Sequence, residues 1–401
     1  MNLTIFDSVQ PTSLEASSID ARSLYHALEQ VKDGRKARGK RYPLALIFTL
    51  LLLGKLAGET TIHGAIEWVN LRAKMLKQQL DWPRRFPSNV TVTRALAACD
   101  AEQLVQVVAG VLLKARAEEK EREERATTSL KQVAMDGKTL RGTLGHRQEH
   151  QPGVHVVSWY EPETGLVLAH RAVEHKHNEI STLPGWLSPT LVKDRIVTAD
   201  ALHTQRAFCT DVLRFGGHYA LIVKKNQSTL WQDIHTFFTD PQAETDEWKQ
   251  DATWNKGHGR LEERRIWTTT LLNPLFERDW AGAAQVFVIR RRVTHPLKCT
   301  QQMVYGMTSL TPEQASPSRL LALERTHWHI ENRSHHRRDV TMGEDASQLR
   351  TAGAPLALAA LNGAVLGLMD WLGVSNMASA MRGFCARPHE ALSLLLSPLQ
   401  R

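Results

Sequence analysis

Three acidic residues stand where their surroundings could put them to chemical use. Asp136 closes the apolar run 132–135, and Asp200 closes the apolar run 195–199. Glu331 lies inside a helical string, His327-Trp328-His329-Ile330-Glu331-Asn332-Arg333-Ser334-His335-His336-Arg337-Arg338-Asp339-Val340. Side chains at the C-terminal ends of strands in an open α/β sheet point into the crevice where such sheets bind ligands. At helical spacing, His327, Trp328, Ser334, His335 and Arg338 share the face of Glu331. Three carboxylates brought together repel one another, and without a cation at least one would hold its proton more tightly. A hard divalent cation relieves that repulsion, and oxygen-only ligands favour Mg²⁺ or Mn²⁺ over zinc. Two such ions about 3.5–4 Å apart could activate a water or a 3′-hydroxyl and stabilise the leaving oxygen of a phosphodiester. His327, His335 and Arg338 on the same face could then hold DNA phosphates.

The elements that must position these acids follow from the period of the sequence. From residue 131 the pattern turns strand-like: 132–135, then 154–160 and 165–173 joined by a turn at Glu161-Pro162-Glu163-Thr164-Gly165. A helix is expected at 178–187, a strand at 195–199, a helix at 204–215 closed by Gly216-Gly217, and a strand at 218–223. Three strands in succession followed by two helix–strand units is the order of the ribonuclease-H-like α/β fold, which would set Asp136 and Asp200 side by side. Residues 228–312 then intervene as a β-rich insertion, with a short helix at 228–238 and strands at 264–271, 285–293 and 303–307. Helical patterning returns at 317–339, and apolar helices at 355–372 and 388–396 are expected to pack on the core.

Ahead of this core, residues 1–127 read as an all-helical domain. A polar arm is followed by helices at 21–31, 43–58 and 61–77, a Pro-rich break, and a hydroxyl-capped helix start at Ser88. Pro43 opens the apolar second helix. Between the first two helices lie Lys32, Arg35, Lys36, Arg38, Lys40 and Arg41 with one acid, Asp33. That cluster suits either a phosphate-contacting loop or a solvated surface loop. The charged run 114–125 reads as an exposed helix or linker. The divisions expected are therefore 1–127, 128–227, 228–312, 313–350 for the helix with the third acid, and 351–401 for a helical tail.

The chain has 401 residues, with Lys plus Arg 50 against Asp plus Glu 42, a formal charge of +8. A length above the usual single-core size predicts more than one domain, and the basic balance is compatible with a polyanionic partner. Mean hydropathy of −0.32 excludes a mainly disordered chain. The apolar runs 43–53 and 354–369 are shorter than a membrane span needs. The N-terminus has no basic stretch leading into an apolar one, so no secretory signal is expected. Four cysteines without CxxC spacing support neither a disulfide framework nor structural zinc, and reduced thiols in a cytoplasm are expected. Gly137-Lys138-Thr139 is not the end of a P-loop, because the glycine that motif requires is Gln132.

Several local strings sharpen this picture. Met135-Asp136-Gly137-Lys138-Thr139-Leu140-Arg141-Gly142 resembles the first-aspartate motif of the ISAs family of insertion-sequence transposases, which includes the H-repeat-associated proteins. Glu174-His175-Lys176-His177-Asn178-Glu179-Ile180, Val197-Thr198-Ala199-Asp200-Ala201-Leu202-His203-Thr204-Gln205 and Val223-Lys224-Lys225-Asn226-Gln227 resemble further motifs of that family. His258-Gly259-Arg260-Leu261-Glu262-Glu263-Arg264 is similar to its insertion motif, and His327 to Asn332, with Asp339-Val340 and Glu344-Asp345 following, to its third-acid motif. The likeness runs in order from about residue 20 to the end.

That resemblance implies a DDE transposase with Asp136, Asp200 and Glu331 as the metal-binding triad and Mg²⁺, two ions, as cofactor, with Mn²⁺ as a substitute. It implies double-stranded DNA as partner, both terminal inverted repeats and target, a homodimer or larger synaptic complex, and no membrane. The setting would be the bacterial cytoplasm at the nucleoid. The relatives' Arg and Lys around the third acid are His327 and Arg338 here. The candidate DNA contacts are Arg35, Lys36, Arg38, Lys40, Arg41, Lys138, Arg141, His203, Lys224, Lys225, His258, Arg260, His327, His335 and Arg338. For His203 and Gln205 a helix-start role competes, for His258 and Arg260 a plain turn, and for Asn178 and Glu179 helix capping. Trp328 is expected in the core, and Glu344 and Asp345 in solvent. Two other functions stay open from sequence: a DNA-binding regulator derived from a transposase, and a metal-dependent nuclease without strand transfer.

Overall fold

A computed structural model describes residues 20–122, 130–144, 153–173, 185–240, 246–257 and 259–399. The expected helix at 178–187 and the string 174–180 therefore fall largely or wholly outside the described residues, as does His258.

The apolar run after Pro43 forms the helix Leu44–Leu56, and all of its residues are buried. It has no polar face to give to water, so other helices surround it, and each buried leucine contributes about 1.5–3 kcal/mol relative to exposure. Thr61 starts the next helix, Ile62–Leu71, by accepting the Gly64 N–H at 2.9 Å. The single helix expected over 61–77 breaks at Arg72, whose backbone leaves helical geometry and whose guanidinium lies 4.2 Å over the Trp68 ring. Ala73–Gln79 continues beyond the break. Ser88 caps Asn89–Ala98, and Ala101–Arg122 is one long helix. Its second half covers most of the run expected as a linker. The helix packs on β3 of the sheet and on Ala354–Trp371, so the helical part shares a core with the sheet. Ala354–Trp371 is long and apolar enough to cross a membrane, but it is mostly buried inside the protein.

The protein is a mixed α/β structure built on one nine-stranded sheet of order β3-β2-β1-β4-β5-β9-β8-β7-β6. The strands are β1 Lys131–Thr139, β2 His155–Glu161, β3 Leu166–Val173, β4 Arg195–Ala199, β5 His218–Val223, β6 Lys249–Gly257, β7 Arg260–Thr269, β8 Gln285–His295 and β9 Lys298–Thr308. β1, β4 and β5 run parallel to one another, and every other pairing is antiparallel. The four strands of the 228–312 segment continue the main sheet, because β9 pairs with β5 from Ala220↔Thr308 to Val223↔Tyr305. β6 has no counterpart in the sequence expectation, since Lys-Gln-Asp-Ala-Thr-Trp-Asn-Lys-Gly carries no apolar alternation. It is an edge strand, where such a composition is at home.

The helical pattern at 317–339 is not one continuous α-helix. Pro317–His327 is α-helical, Ile330–His335 is a π-helical turn, and His336–Val340 resumes the α-helix. A π-turn widens the helix and shifts the angular register of the residues beyond it, and such turns concentrate at functional sites.

Candidate active site

Asp136 and Asp200 are set by strand register. β1 and β4 pair in parallel through Met135↔Ala199, so the two aspartates are the next residue on each strand. Asp136 does not end its strand as expected: β1 runs on to Thr139, and Asp136 pairs with Ser158 of β2. Asp200 does leave its strand and starts the short turn Ala201–His203. The π-turn carries Glu331 and His335 over β1. Carboxylate oxygens of Asp136 and Glu331 and a ring nitrogen of His335 lie within 4.8 Å of one another. His335 Nδ1 is 3.1 Å from Glu331 Oε2 and 3.5 Å from Asp136 Oδ2. The His335 hydrogen bond, with its charge and that of Lys138, holds the Glu331 carboxyl below the usual carboxylate range against the cost of burial.

Asp200 is held differently. Its Oδ1 accepts from Lys224 Nζ at 2.9 Å. Burial would raise this carboxyl, but the Lys224 bond, the Ala201 N–H and the Lys224 charge together bring it below the usual range. His327 is half-buried beside it, with Nδ1 3.1 Å from Thr198 Oγ1. Burial pushes His327 down to about 4, so the ring is neutral at pH 7. The loop after Asp200 is tied down by Asn226, which donates to Ala201 O at 2.7 Å, and by Gln227, which donates to Gln205 at 3.0 Å. These two side chains support the loop and are not held out toward phosphates.

All three acids line one groove of about 910 Å³. Its floor includes Ile222, Ile289, Val304 and Leu321, and its far wall is the basic face of β7 and β8, with Arg260, Arg264 and Arg291. Glu262 on that face pairs with Arg264 at 2.7 Å and with Arg291. The expected contacts Lys224 and Arg260 reach this groove. Arg264 and Arg291, absent from the sequence expectation, become a pair only through the β7–β8 register, Arg264↔Arg291.

Other expected contacts fall in three groups. Lys36, Arg38, Lys40, Arg41 and Lys225 are exposed, and Arg141 is exposed with Asp345 at 3.6 Å. Four others need correcting, because their charge or ring is turned inward. Arg35 pairs with Asp33 at 2.8 Å and donates to the carbonyls of Gly39 and Tyr42, so it braces its loop. Lys138 is buried between Asp339 at 2.6 Å and Asp345 at 3.1 Å. His203 is buried against Phe208. Arg338 is fully buried on Glu344 at 2.7 Å. A cation committed to a buried carboxylate cannot also reach a phosphate without leaving an uncompensated charge behind. His335 is buried between two of the acids, a place for a cation's ligand more than for a phosphate contact. Trp328, expected in the core, is 61% exposed on the groove lining. Glu344 and Asp345, expected in solvent, are the partners of Arg338 and Lys138.

The donors fit a hard divalent cation. Two carboxylates converge with one imidazole nitrogen, and the third carboxylate already carries a cationic partner in Lys224. Such a set can hold a metal ion against a phosphodiester laid along the groove.

Residues 25–110 match the family described as DDE_Tnp_1-associated, and residues 127–355 match the family described as Transposase DDE domain. The chain is 29% identical over 278 residues to an uncharacterized protein in the dhlA 3′ region of Xanthobacter autotrophicus, covering 68% of this chain and 90% of that one. It is 24% identical over 345 residues to YhhI of Escherichia coli (strain K12), an H repeat-associated protein with a transposase name, covering 84% and 87%. Among solved structures it is similar to the piggyBac transposase synaptic complex with hairpin DNA, at 10% identity and a TM-score of 0.41, covering 99% of this chain and 82% of that one.

Proposed function

The chain belongs to the transposase DDE domain family and is a DNA transposase of the H-repeat type, and from that premise we propose how its residues carry the reaction. Asp136, Asp200 and Glu331 are the acid triad. The observation that carries this assignment is the matched register of Asp136 and Asp200 on neighbouring parallel strands, with Glu331 brought onto Asp136 by the π-turn. The strand order β3-β2-β1-β4-β5, three antiparallel strands and then two parallel ones, supports a ribonuclease-H-like core.

Asp136 and Glu331 would hold a divalent cation, with Asp200 as the next carboxylate on the neighbouring strand. Mg²⁺ or Mn²⁺, when bound, supplies Lewis-acid activation of the attacking oxygen and neutralises the leaving one. Lys224 keeps Asp200 ionised at neutral pH, and neutral His327 buttresses the same strand end through Thr198. Arg260 and Lys224 in the groove, Lys225 beyond β5 and the exposed Lys36, Arg38, Lys40 and Arg41 take DNA phosphates. Water first cleaves the phosphodiester at each element end and frees a 3′-hydroxyl. That hydroxyl then attacks a target phosphate in line, and the target's own 3′-oxygen leaves, with no protein–DNA bond at any stage. The terminal inverted repeats are the DNA recognised, and a dimer or larger assembly brings the two ends together.

The test is cleavage of a supercoiled plasmid carrying the element's own flanking ends, with Mg²⁺, with EDTA, and with Asp200→Ala. Cutting at the ends by wild-type protein with metal alone supports the assignment. End-specific binding without cutting under any divalent metal overturns it, and cutting without regard to the ends removes strand transfer from the proposal.

A further inference from the structure

His335 was expected to touch phosphate, but its side chain is only 4% exposed and its Nδ1 is aimed between two carboxylates. We infer that His335 is a third protein ligand of the cation held by Asp136 and Glu331, an imidazole donor that tilts this position from Mg²⁺ toward Mn²⁺. The inference rests on the triad assignment and adds a nitrogen to a site that an acid triad alone would make of oxygen.

Donor spacing is the first support. Neighbouring ligands of an octahedral ion with bonds of about 2.1 Å lie about 3.0 Å apart, the square-root-of-two multiple of the bond length. His335 Nδ1 stands 3.1 Å from the Glu331 oxygen and 3.5 Å from the Asp136 oxygen. Both separations are close to that spacing, and the Asp136 and Glu331 oxygens lie within 4.8 Å of each other. Two oxygens also face the same ring nitrogen, and one N–H on Nδ1 can serve only one of them well.

The opposite ring nitrogen supplies the second support. His335 Nε2 is buried and meets no hydrogen-bond partner among the described residues. No acceptor or donor there commits the ring to one tautomer. When a cation takes the Nδ1 lone pair, the proton the ring keeps sits on Nε2, as a buried N–H without a partner among the described residues. Imidazole is a softer donor than carboxylate and suits later first-row ions better than Mg²⁺. Glu331 and His335 stand four residues apart on the π-turn, on the face that meets Asp136.

The experiment uses full-length protein and two readouts apart from cutting: pulsed electron paramagnetic resonance of bound Mn²⁺, and calorimetric titration with Mn²⁺ and with Mg²⁺. The expected result is a nitrogen coupling on Mn²⁺ that changes when histidine is ¹⁵N-labelled. It should vanish in His335→Ala and His335→Asn and persist in His327→Asn. Losing the ligand should weaken Mn²⁺ by about tenfold or more and Mg²⁺ by less than about threefold. Mn²⁺ bound by wild-type protein without nitrogen coupling, or a coupling that survives in a folded His335 variant, overturns the inference and leaves the triad standing. Should Mn²⁺ fail to bind, or bind equally well in Asp136→Asn, the triad assignment itself falls and the inference with it. The label test on wild-type protein decides the matter even where a variant does not fold.

Discussion

Lys224 Nζ lies 2.9 Å from Asp200 Oδ1, whereas Asp136, one strand away, faces Glu331 and His335. The two aspartates thus have different surroundings: Asp200 is paired with the Lys224 ammonium, and Asp136 faces a carboxylate and an imidazole. Asp200→Ala should abolish end cleavage and leave DNA affinity within about threefold, because the removed carboxylate repels phosphate and binding draws on many separate cations. A gel-shift titration beside the plasmid assay measures both. Loss of binding in parallel with cleavage would show that Asp200 shapes the fold and not the chemistry.

Arg338 and Arg260 separate two kinds of arginine. Arg338 is fully buried with Glu344, which also accepts from Asn362 at 2.9 Å. Arg338→Ala should destabilise the protein by about 3–5 kcal/mol, since Glu344 is left as an uncompensated buried charge. Arg260 is exposed on the groove wall. Arg260→Ala should leave the unfolding midpoint in place and lower the slope of log affinity against log salt by about one. Urea unfolding and binding at several salt concentrations, run on both variants, check the contrast. A salt-slope change in a folded Arg338→Ala would restore that residue to the DNA surface.

The strands that carry Asp136 and Asp200 were legible because they are buried and parallel. Val133-Ala134-Met135 and Ile196-Val197-Thr198-Ala199 are apolar runs that stop at an aspartate. β6 was not legible, because an exposed edge strand needs no apolar alternation to pair. Nor was the π-turn, since residue types do not announce a change of helical period. The assumed uniform period grouped Arg338 with Glu331, and it gave Trp328 no reason to be exposed. The buried pairs were hidden for a further reason. Lys138 finds Asp339 and Asp345 some 200 residues away, a match that only the folded chain reveals.

Gly165 tests how far the site depends on its surroundings. It sits at φ +73 in the β2–β3 turn, and a Cβ there would lie 2.2 Å from Asp370 Oδ2. Asp370 in turn holds Arg337 with two bonds, at 2.7 and 2.5 Å, just past the turn that carries Glu331. Gly165→Ala combines left-handed strain with displacement of that carboxylate, and should cost about 2 kcal/mol or more. End cleavage should fall with it, because Arg337 anchors the segment holding the third acid. Full cleavage activity in a destabilised Gly165→Ala would break the link between Asp370 and Glu331.

Lys55 gives the protein a pH dependence with a definite sign. It lies in the buried helix Leu44–Leu56 and donates to Thr60 O at 2.7 Å. Burial lowers its ammonium to about 8, with Glu344 and Glu59 opposing that shift. An unfolded lysine titrates near about 10.4, so between these values the unfolded chain binds the proton that the folded chain has released. Stability therefore rises with pH across this window, by about 3 kcal/mol at about 1.4 kcal/mol per pH unit. Lys55→Met should remove that rise and be the more stable protein at pH 7, provided the Thr60 carbonyl finds another donor. Urea midpoints for both proteins at pH 7.5 and pH 10 measure it. Parallel pH slopes would mean that Lys55 keeps its proton in the fold, and that Glu344 and Glu59 hold it more strongly than burial opposes it.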